Sequence, residues 1–379
     1  MAIHHALRLY LRLVIVLFTA AAPLRARAQQ WEQLPPTPEL PKPDESGTVA
    51  ANGIRIWYAV FGHGEPVILV HGAFGNSDYW GLQVPALAPH YKVIVLDSRG
   101  QGRTTWNSEP PLSFHLMASD VLALMDALHI PKAALVGWSD GGIIGLDIAI
   151  HHPERLTGLF AFGANSDPSA IKDDIQKQPA FSEYSRRNKV EYQKFSPAPN
   201  QLKAFSEQLG KMEDTEPHFT DDQLRSIKVP TWIVDGDRDE AIKREDTDHM
   251  AALIPGAGEL ILPNASHFAM LQDPEQFNEA LLHFLSHPHS TTTKRGAGNA
   301  QLKISGRAGH PLTHAFRGGL PLAGFERVGR SSTSLSRSRS SCLFLTANLQ
   351  HPNDLLFSFD LELFYPSHPS VTSFPSVTY

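Results

Sequence analysis

The sequence predicts an α/β fold in which a mostly parallel β-sheet carries helices on both faces. Two observations support this prediction: short apolar runs recur along the chain, and helical patterns alternate with them. The apolar runs lie at residues 67–70, 93–96, 133–136, 159–162, 231–234 and 259–262. Runs of this kind are typical of strands buried on both faces. In such a sheet, ligands bind at the carboxyl ends of the strands.

The predicted domain opens with a β-hairpin. The dipeptide Asn52-Gly53 separates residues 48–51 from a β-rich run at residues 54–60. A type I′ turn requires positive φ at both central residues, which Asn and Gly tolerate best. We therefore expect two antiparallel strands here, joined by that turn.

Two helices have recognisable start signals. The first has Ser113 as its N-cap and Pro131 just beyond its end. The second begins at the capping-box sequence of residues 273–276. The apolar positions are Phe114, Met117, Val121, Leu124 and Leu128 in the first helix, and Phe277, Leu281, Phe284 and Leu285 in the second.

The alternation of strands and helices stops between residues 164 and 227. This stretch is charged, and aromatic residues are spread through it. We interpret it as a small helical cap insertion rather than a further unit of the sheet. Its place in the chain suits a lid. The aromatic residues are Phe181, Tyr184, Tyr192, Phe195, Phe205 and Phe219.

The N-terminus has the parts of a secretory signal. Arg8 and Arg12 precede an apolar run at residues 13–22, and Ala26-Arg27-Ala28 supplies the small residues that signal peptidase reads. We predict a signal peptide at residues 1–28 and a secreted or periplasmic protein. The alternative is an uncleaved membrane anchor, but a run of ten residues forms a helix of about 15 Å, half of a bilayer core. No stable membrane span is expected after cleavage.

Two further segments flank the predicted domain at residues 47–286. Residues 29–46 contain five prolines, which predicts an extended linker. Residues 287–379 are rich in Ser, Thr, Gly and Pro and show no sustained hydrophobic period. Because such a composition buries too little apolar surface to order a chain, we expect a disordered tail.

Charge and cysteine content exclude several classes of protein. The formal net charge is −6, yet both terminal segments are basic, so residues 29–286 are strongly acidic. An acidic body disfavours nucleic acid or an anionic membrane surface as a partner. The single cysteine, Cys342, can form neither an intrachain disulfide nor a cysteine metal site.

The segment Gly137-Trp138-Ser139-Asp140-Gly141 has the form G-x-S-x-G. A predicted strand leads into it and a helix-like segment that ends before Pro153 leads out, which is the setting of a nucleophile elbow. The sharp turn exposes the serine hydroxyl, and the glycines prevent clashes between strand and helix. Ser139 is therefore the predicted nucleophile. The backbone N–H of Asp140, at the helix N-terminus, is a predicted oxyanion donor.

A serine nucleophile needs a base that accepts its proton, and the imidazole of such a base needs a carboxylate that fixes its tautomer. Among the 19 histidines, His267 follows the last predicted strand and precedes the last helix, so we predict it as the base. His249 and His283, which lie within helical patterns, are the alternatives.

The acidic partner is predicted in the loop after the strand at residues 231–234. Asp239 is preferred, because the strand-G-x-x-D spacing resembles the acid loop of the enzyme family that has this order of Ser, Asp and His. Asp237 is the alternative, and Asp235 is interpreted as a turn cap. The chain order Ser, Asp, His is that of α/β enzymes with a nucleophile elbow.

The second oxyanion donor is predicted in the segment His71-Gly72-Ala73-Phe74-Gly75, at the end of an earlier strand. The N–H of Ala73 is preferred, Phe74 is the competing donor, and a plain glycine turn is the alternative. Another glycine-rich segment, residues 97–103, lacks the lysine and spacing of a phosphate loop. We interpret it as a structural turn held by Asp97.

Four segments, HGAFG, DSRGQGR, GWSDGG and NASHF, stand in the order found in the α/β-hydrolase superfamily. Residues 48–286 as a whole resemble this superfamily. The resemblance implies the α/β-hydrolase fold, with Ser139, Asp239 and His267 as a catalytic triad. Serine at the elbow disfavours dehalogenase and epoxide hydrolase chemistry, for which the superfamily uses aspartate there.

Within the superfamily, residues 137–142 and 162–165 resemble the valacyclovir hydrolases, or biphenyl-hydrolase-like proteins. In that group the acidic residue after the nucleophile recognises an ammonium group of the substrate. The resemblance makes Asp140 a candidate for binding amino-acid esters. The alternative is a carboxylate in the first helical turn, which stabilises a helix by about 0.3–1 kcal/mol.

The sequence thus predicts hydrolysis of small-molecule carboxylic esters or lactones through an acyl-enzyme, with no metal or organic cofactor. Phe74, Trp138 and Phe268 flank the predicted site and are candidates for substrate binding, with core packing as the alternative. The competing functions are an aminopeptidase or amino-acid ester hydrolase that uses Asp140, and a non-catalytic ligand receptor on the same scaffold.

Overall fold

The computed structural model describes residues 30–287. Eight strands in this part of the chain form one sheet. The strands are β1 (Glu45–Ala51), β2 (Ile54–Phe61), β3 (Pro66–Val70), β4 (Lys92–Leu96), β5 (Ala133–Trp138), β6 (Leu156–Phe162), β7 (Thr231–Gly236) and β8 (Gly258–Leu262). Their spatial order is β1-β2-β4-β3-β5-β6-β7-β8.

The sheet is mostly parallel. Strand β2 is antiparallel to its neighbours β1 and β4, and all other neighbouring pairs are parallel. The α-helices of this region are α1 (Val84–Leu87), α2 (Phe114–Ala127), α3 (Asp140–His151), α4 (Pro179–Phe195), α5 (Leu202–Thr215), α6 (Asp221–Ser226), α7 (Arg244–Leu253), α8 (Ala269–Gln272) and α9 (Pro274–Ser286). Short 3-10 helices lie at Gln30–Glu32, Ser77–Trp80, Pro153–Arg155, Pro168–Ala170, Ile175–Lys177 and Pro199–Gln201.

The sheet has an apolar core on each face. Along β3, Ile68 and Val70 belong to the core that includes the buried residues of α2 and α3. Val67 and Leu69 point to the opposite core, which includes the buried residues of α9. This alternation follows from the period of two along a strand. The predicted arrangement of helices on both faces is therefore confirmed.

The predicted apolar runs all lie within strands β3 to β8. Strand β8 departs from the expectation of burial on both faces: Glu259 is exposed, and Leu260 and Ile261 are only half-buried. The reason is its place at the edge of the sheet, where β7 is its one neighbour. A short apolar run does not show by itself whether a strand is central or at the edge.

The predicted hairpin is confirmed. Residues Asn52 and Gly53 have φ of 47° and 75°, as a type I′ turn requires. Strand β1 pairs antiparallel with β2 from Glu45 to Ala51. It therefore begins three residues earlier than predicted, inside the segment assigned to the linker.

The predicted N-cap residues of α2 and α9 both make N-cap hydrogen bonds, but the predicted capping box of α9 is incomplete. The side chain of Ser113 accepts a hydrogen bond from the N–H of Leu116, and that of Asp273 accepts one from the N–H of Gln276. The amide of Gln276, however, donates to the carbonyl of Pro263 at 3.3 Å. The N-cap of α9 therefore has only one of the two hydrogen bonds of a capping box, the one that Asp273 accepts. The side chain of Gln276 bonds to a neighbouring loop instead of to the N–H of Asp273.

The proline-rich segment is extended, but it is packed against the domain and is not a free tether. Arg187 of α4 donates to the carbonyl oxygens of Pro35 at 2.6 Å and Leu34 at 3.1 Å. Gln272 of α8 donates to those of Trp31 at 3.1 Å and Gln33 at 2.9 Å. These backbone groups, which no sheet or helix uses, find their partners in long polar side chains.

The charged stretch between β6 and β7 forms helices α4, α5 and α6. Helix α4 buries Tyr184 and Tyr192, and α5 buries Phe205 and Leu209, so each helix presents an apolar face to the body. Amphipathic helices of this kind bury one stripe and leave the opposite stripe charged.

No helix within residues 30–287 is long and apolar enough to cross a membrane. The predicted signal peptide at residues 1–28, the predicted tail beyond His287 and Cys342 lie outside the described residues.

Candidate active site

Ser139 lies at the turn between β5 and α3. Its backbone has φ 55° and ψ −121°, a conformation that L-residues rarely adopt. A Cβ at Gly137 would lie 2.1 Å from the carbonyl oxygen of Gly141, and a Cβ at Gly141 would lie 2.0 Å from that of Val70. Only glycine fits at either position. The turn is thus the sharp elbow that the sequence predicted.

His267 and Asp239 form a buried pair beside this turn. Nδ1 of His267 lies 2.7 Å from Oδ2 of Asp239, and the two side chains are 3% and 2% exposed. Oδ1 of Asp239 accepts hydrogen bonds from the N–H groups of Ala241 at 2.6 Å and Ile242 at 2.8 Å. Because both carboxylate oxygens are bound, Asp239 holds the imidazole in one orientation with Nδ1 as the donor.

Each member of this pair stabilises the charged form of the other. Burial by itself would raise the pKa of Asp239, but the charge of His267 and the hydrogen bond to it hold the pKa below its usual value. Burial opposes protonation of His267, whereas the charge of Asp239 and its hydrogen bond raise the pKa of the imidazole above its ordinary value. Asp239 is therefore ionised near neutral pH, and it stabilises a proton on His267.

The other two aspartates of the acid loop have different contacts. Asp235 is buried and accepts hydrogen bonds from the N–H of Gly236 at 2.8 Å and the hydroxyl of Thr247 at 3.0 Å. Asp237 is exposed and accepts one from the N–H of Ala265 at 3.3 Å. Asp239 is thus the loop carboxylate that hydrogen-bonds to the imidazole.

Ser139 and His267 line one cavity. Strand ends and the loops that follow them form its floor, and residues between β6 and β7 form much of its walls. The other lining residues are Ala73, Phe114, Trp138, Asp140, Ile143, Asn165, Ile171, Ile175, Phe181, Tyr184, Glu213, Glu216, Ala241 and Ile242.

The loop after β3 lies against the nucleophile. A Cβ at Gly72 would lie 2.9 Å from Cβ of Ser139. The carbonyl of Gly72 accepts hydrogen bonds from Nδ1 of His71 at 2.8 Å and from the N–H of Gly75 at 3.0 Å. Because a trans peptide directs its N–H opposite to its carbonyl, the N–H of Ala73 points away from these donors.

The neutral form of His71 keeps this arrangement in place. Its Nε2 accepts a hydrogen bond from the N–H of Ser98 at 3.0 Å. In the neutral ring Nδ1 therefore carries the hydrogen and donates it to the carbonyl oxygen of Gly72. Burial lowers the pKa of His71, which favours the same neutral state. Ala73 lines the cavity, whereas Phe74, the competing donor, is not among its lining residues.

Of the three aromatic residues predicted to bind substrate, the structure places one in the cavity wall. Trp138 lines the cavity. Phe74 instead packs edge-on against Phe205 at 5.6 Å. Phe268 is fully buried and packs against Trp138 at 5.7 Å. Phe74 and Phe268 therefore act in packing around the site, because their rings turn away from the cavity into the two cores.

Helix α4 supplies aromatic residues to the cavity wall that were not predicted as site residues from the sequence. Phe181 and Tyr184 line the cavity, and the ring centroid of Phe181 is 6.2 Å from that of His267. Both were visible in the sequence as aromatic residues of the insertion. Only the packing of α4 against the elbow shows which of those aromatic residues reach the site.

Three carboxylates line the cavity, and none of them forms an ion pair with a lysine or arginine among the described residues. Asp140 is 4% exposed, and its Oδ2 has no hydrogen-bond partner among the described residues. Burial raises the pKa of Asp140 to about 7, partly offset by the charge of His267. Glu213 and Glu216 of the inserted region also line the cavity, and burial together with Asp140 raises the pKa of Glu213 well above its usual value. No lysine or arginine is among the lining residues of this described cavity.

The remaining candidates from the sequence have other roles. His249 pairs with Asp221 at 3.1 Å on the surface, and His283 packs on Trp232 at 5.9 Å; neither lines the cavity. Asp97 accepts hydrogen bonds from the N–H groups of Ser77 and Arg103, both at 2.7 Å. It holds the structural turn that the sequence predicted.

Comparisons with known proteins agree with this geometry. Residues 67–280 match the family model described as the alpha/beta hydrolase family. The chain is 28% identical over 268 residues to 2-hydroxy-6-oxo-6-(2'-aminophenyl)hexa-2,4-dienoic acid hydrolase of Metapseudomonas resinovorans, covering 63% of this chain and 90% of that protein. It is 28% identical over 254 residues to pimeloyl-[acyl-carrier protein] methyl ester esterase of Aeromonas hydrophila subsp. hydrophila, covering 59% of this chain and 97% of the esterase.

Among solved structures, the meta-cleavage product hydrolase of Pseudomonas fluorescens IP01 superposes with a TM-score of 0.56 at 22% identity, covering 64% of this chain and 98% of that one. This likeness shows a shared fold. The family match spans more than half of the sequence, and the relatives named above are hydrolases. The chain therefore belongs to the alpha/beta hydrolase family, and it is a hydrolase.

Proposed function

We propose that this hydrolase cleaves carboxylic esters or lactones of small molecules through an acyl-enzyme on Ser139. The observation that carries the proposal is the buried hydrogen bond of 2.7 Å between His267 and Asp239, in the same cavity as the strained elbow serine. A base that is held by a carboxylate and shares a cavity with a serine hydroxyl is the arrangement that activates a serine.

The proposed reaction assigns one role to each group. Ser139 Oγ attacks the carbonyl carbon while Nε2 of His267 takes the hydroxyl proton, and Asp239 stabilises the resulting imidazolium. The N–H groups of Ala73 and Asp140 donate to the oxyanion. Collapse of the intermediate expels the alcohol, which receives the proton from His267. In the second half of the reaction, water attacks the acyl-enzyme while His267 takes a proton from the water. Collapse of this intermediate releases the acid, and His267 returns a proton to Ser139 Oγ.

The walls of the cavity suit an acyl group that has both apolar and polar parts. Ile143, Ile171, Ile175 and Phe181 offer apolar surface, and the A. hydrophila relative is a methyl ester esterase by name. Apolar walls with a few polar groups are typical of small-ligand sites. Simple methyl, ethyl and aryl esters and γ-lactones are therefore the first substrates to assay.

The decisive test is the Ser139→Ala variant. We expect kcat for ester hydrolysis to fall by at least about 10⁴-fold with an unchanged circular dichroism spectrum. Covalent labelling by a fluorophosphonate probe should occur in the wild type and be lost in the variant. A wild type that takes no label and turns over no ester or lactone would instead favour a non-catalytic ligand receptor.

A matched pair tests the acid loop. Asp239→Asn should lower kcat by about 10³- to 10⁴-fold, because the imidazole loses the carboxylate that fixes its tautomer and stabilises its charge. Asp237→Asn, two positions away on the exposed side of the loop, should leave kcat within about twofold of wild type. Equal losses in the two variants would contradict the assignment of Asp239.

Amino-acid esters, or peptides with a free N-terminus, are the second candidate substrate class. The unpartnered Oδ2 of Asp140 at the cavity wall favours a substrate that brings an ammonium group. A charge-assisted hydrogen bond of about 1.5–3 kcal/mol would raise kcat/KM for an aminoacyl ester by about 10- to 100-fold over its des-amino analogue. Equal kcat/KM for the aminoacyl ester and its des-amino analogue would contradict this second candidate and favour simple esters or lactones.

We also propose that the enzyme acts outside the cytoplasm and that helices α4 to α6 form a cap over the site. The N-terminal sequence pattern supports export, and the lining residues from α4 support the cap. N-terminal sequencing of the exported protein should begin at Gln29. Retention of Met1 in that protein would contradict cleavage of the signal.

A further inference from the structure

Two helices on the surface bring three metal-ligating side chains together, away from the cavity. His115 lies in the first turn of α2, and Asp147 and His151 lie one turn apart on α3. The two helices pack side by side. One ligand atom from each of the three residues lies within 4.8 Å of the others.

Two nitrogen–oxygen separations in this cluster are close to those that a tetrahedral ion imposes. Nδ1 of His115 is 3.1 Å from Oδ1 of Asp147, and Nδ1 of His151 is 3.4 Å from Oδ2 of Asp147. Two ligands that each lie about 2.1 Å from a tetrahedral Zn²⁺ are about 3.4 Å apart. Nδ1 of His151 also lies 3.0 Å from the backbone carbonyl oxygen of Asp147, so a bound ion would replace that contact. The two imidazoles, which are 65% and 39% exposed, have solvent beside them into which they can rotate toward one point.

The carboxylate in this cluster is the buried member. The Asp147 side chain is 6% exposed. Its ion-pair partners among residues 30–287 are the two histidines, with no lysine or arginine. A bound cation would give this buried carboxylate a permanent positive partner.

We propose that His115, Asp147 and His151 form a binding site for a transition-metal ion, for which Zn²⁺ is the probe. Two imidazoles and one carboxylate are the donor set that zinc, nickel and copper prefer. Ca²⁺ and Mg²⁺ require mainly oxygen ligands, so they should not compete. Three protein ligands leave one coordination position for solvent.

Such an ion would join α2 to the C-terminal end of α3, the helix whose N-terminus carries the elbow. Because the ion binds the folded protein through residues of two helices, it should raise thermal stability as well as bind. The site neither contacts the cavity nor depends on the proposed chemistry of Ser139.

The test uses the full chain after treatment with a chelator, titrated with Zn²⁺ by isothermal calorimetry at pH 7.5. His115→Ala and His151→Ala remove exposed side chains and should keep the fold, as judged by the Tm without metal. The matched control is His249→Ala, an exposed histidine that pairs with a single carboxylate at 3.1 Å. All variants retain the other histidines of the chain, so any difference between them isolates the proposed site.

We expect wild type and His249→Ala to bind one more equivalent of Zn²⁺ than His115→Ala and His151→Ala. Zn²⁺ should raise the Tm of the first two proteins by a few degrees and leave the Tm of the other two unchanged. Ser139-dependent hydrolysis is measured separately and bears on the proposed function alone. The same stoichiometry, Kd and Tm shift in all four proteins would overturn the metal site.

Discussion

The hydroxyl of Tyr184 on α4 donates a hydrogen bond of 2.6 Å to the carbonyl oxygen of Ala73. This contact joins the inserted helices to the loop that lies against the nucleophile and holds the proposed oxyanion donor. Tyr184 is buried, and its ring also packs against Trp138 at 5.5 Å and Phe268 at 5.0 Å. One side chain of the insertion thus contacts both the elbow and the proposed oxyanion loop.

Tyr184→Phe should lower kcat by about fivefold with little change in KM, because a neutral hydrogen bond contributes about 1 kcal/mol and an oxyanion loop acts mainly in the transition state. Steady-state kinetics with one ester measures both constants. Tyr192→Phe is the matched control, since Tyr192 lies on the same helix and stacks on Phe205 at 5.7 Å. Equal effects of the two substitutions would assign Tyr184 to packing alone.

Gly163 limits the space beside the base. It has φ 61°, and a Cβ there would lie 2.7 Å from Cε1 of His267. Gly163→Ala should therefore displace the imidazole and reduce kcat by at least about tenfold, as small misplacements of catalytic groups do.

The control for this substitution is Gly256→Ala, at φ 75° with no atom within 4 Å of the added Cβ. Both variants carry the cost of a left-handed alanine, about 1–2 kcal/mol. Urea unfolding should show a loss of stability in both variants, and a larger one in Gly163→Ala because of its close contact with His267. A matching loss of kcat in Gly256→Ala would contradict the steric argument.

The acid limb of kcat/KM should report the pKa of His267. Neighbouring carboxylates raise this pKa above the ordinary 6.5, and the base acts in its neutral form, so kcat/KM should fall as the pH drops through a midpoint above that value. Asp140→Asn removes one of these negative charges, which lowers the pKa and moves the midpoint to lower pH.

The pH profile should be measured with an uncharged ester, so that the substrate does not titrate. Asp222→Asn is the control, because its side chain is 95% exposed on α6 and solvent screens its charge. A midpoint that stays in place or rises in Asp140→Asn would contradict the electrostatic coupling of Asp140 to the base.

Arg187 fastens the proline-rich segment to α4. Its side chain is 14% exposed, and it donates to two backbone carbonyls of that segment. Arg187→Ala should lower the free energy of unfolding by about 1–3 kcal/mol, since hydrogen bonds from charged groups are lost and the carbonyls lose their partners.

Arg186→Ala tests whether the loss is specific. Arg186 is 68% exposed and pairs with Glu183 at 2.7 Å, a surface contact that contributes about 0–1 kcal/mol. Urea unfolding of both variants gives the comparison. A loss in Arg187→Ala no larger than that in Arg186→Ala would show that the segment contributes little to stability.

The local features of this protein were readable from the sequence because they depend on neighbouring residues. The hairpin at Asn52-Gly53 follows from the φ that its two residues tolerate. The strands follow from runs of apolar side chains, and the elbow follows from glycines that leave no room for a Cβ. The order of Ser139, Asp239 and His267 along such a sheet predicted that they lie at one edge. In the structure, Ser139 and His267 line one cavity, and Asp239 hydrogen-bonds to His267.

What only the tertiary structure decided depends on residues far apart in the chain. Glu213 and Glu216 look like surface carboxylates of an amphipathic stretch until the packing of α5 brings them to the cavity. Phe74 and Phe268 adjoin motif residues, yet their rings turn into the core. The proline-rich segment has a linker's composition but finds partners in Arg187 and Gln272. Burial and charge partners arise from contacts across the fold, and local sequence patterns do not encode these contacts.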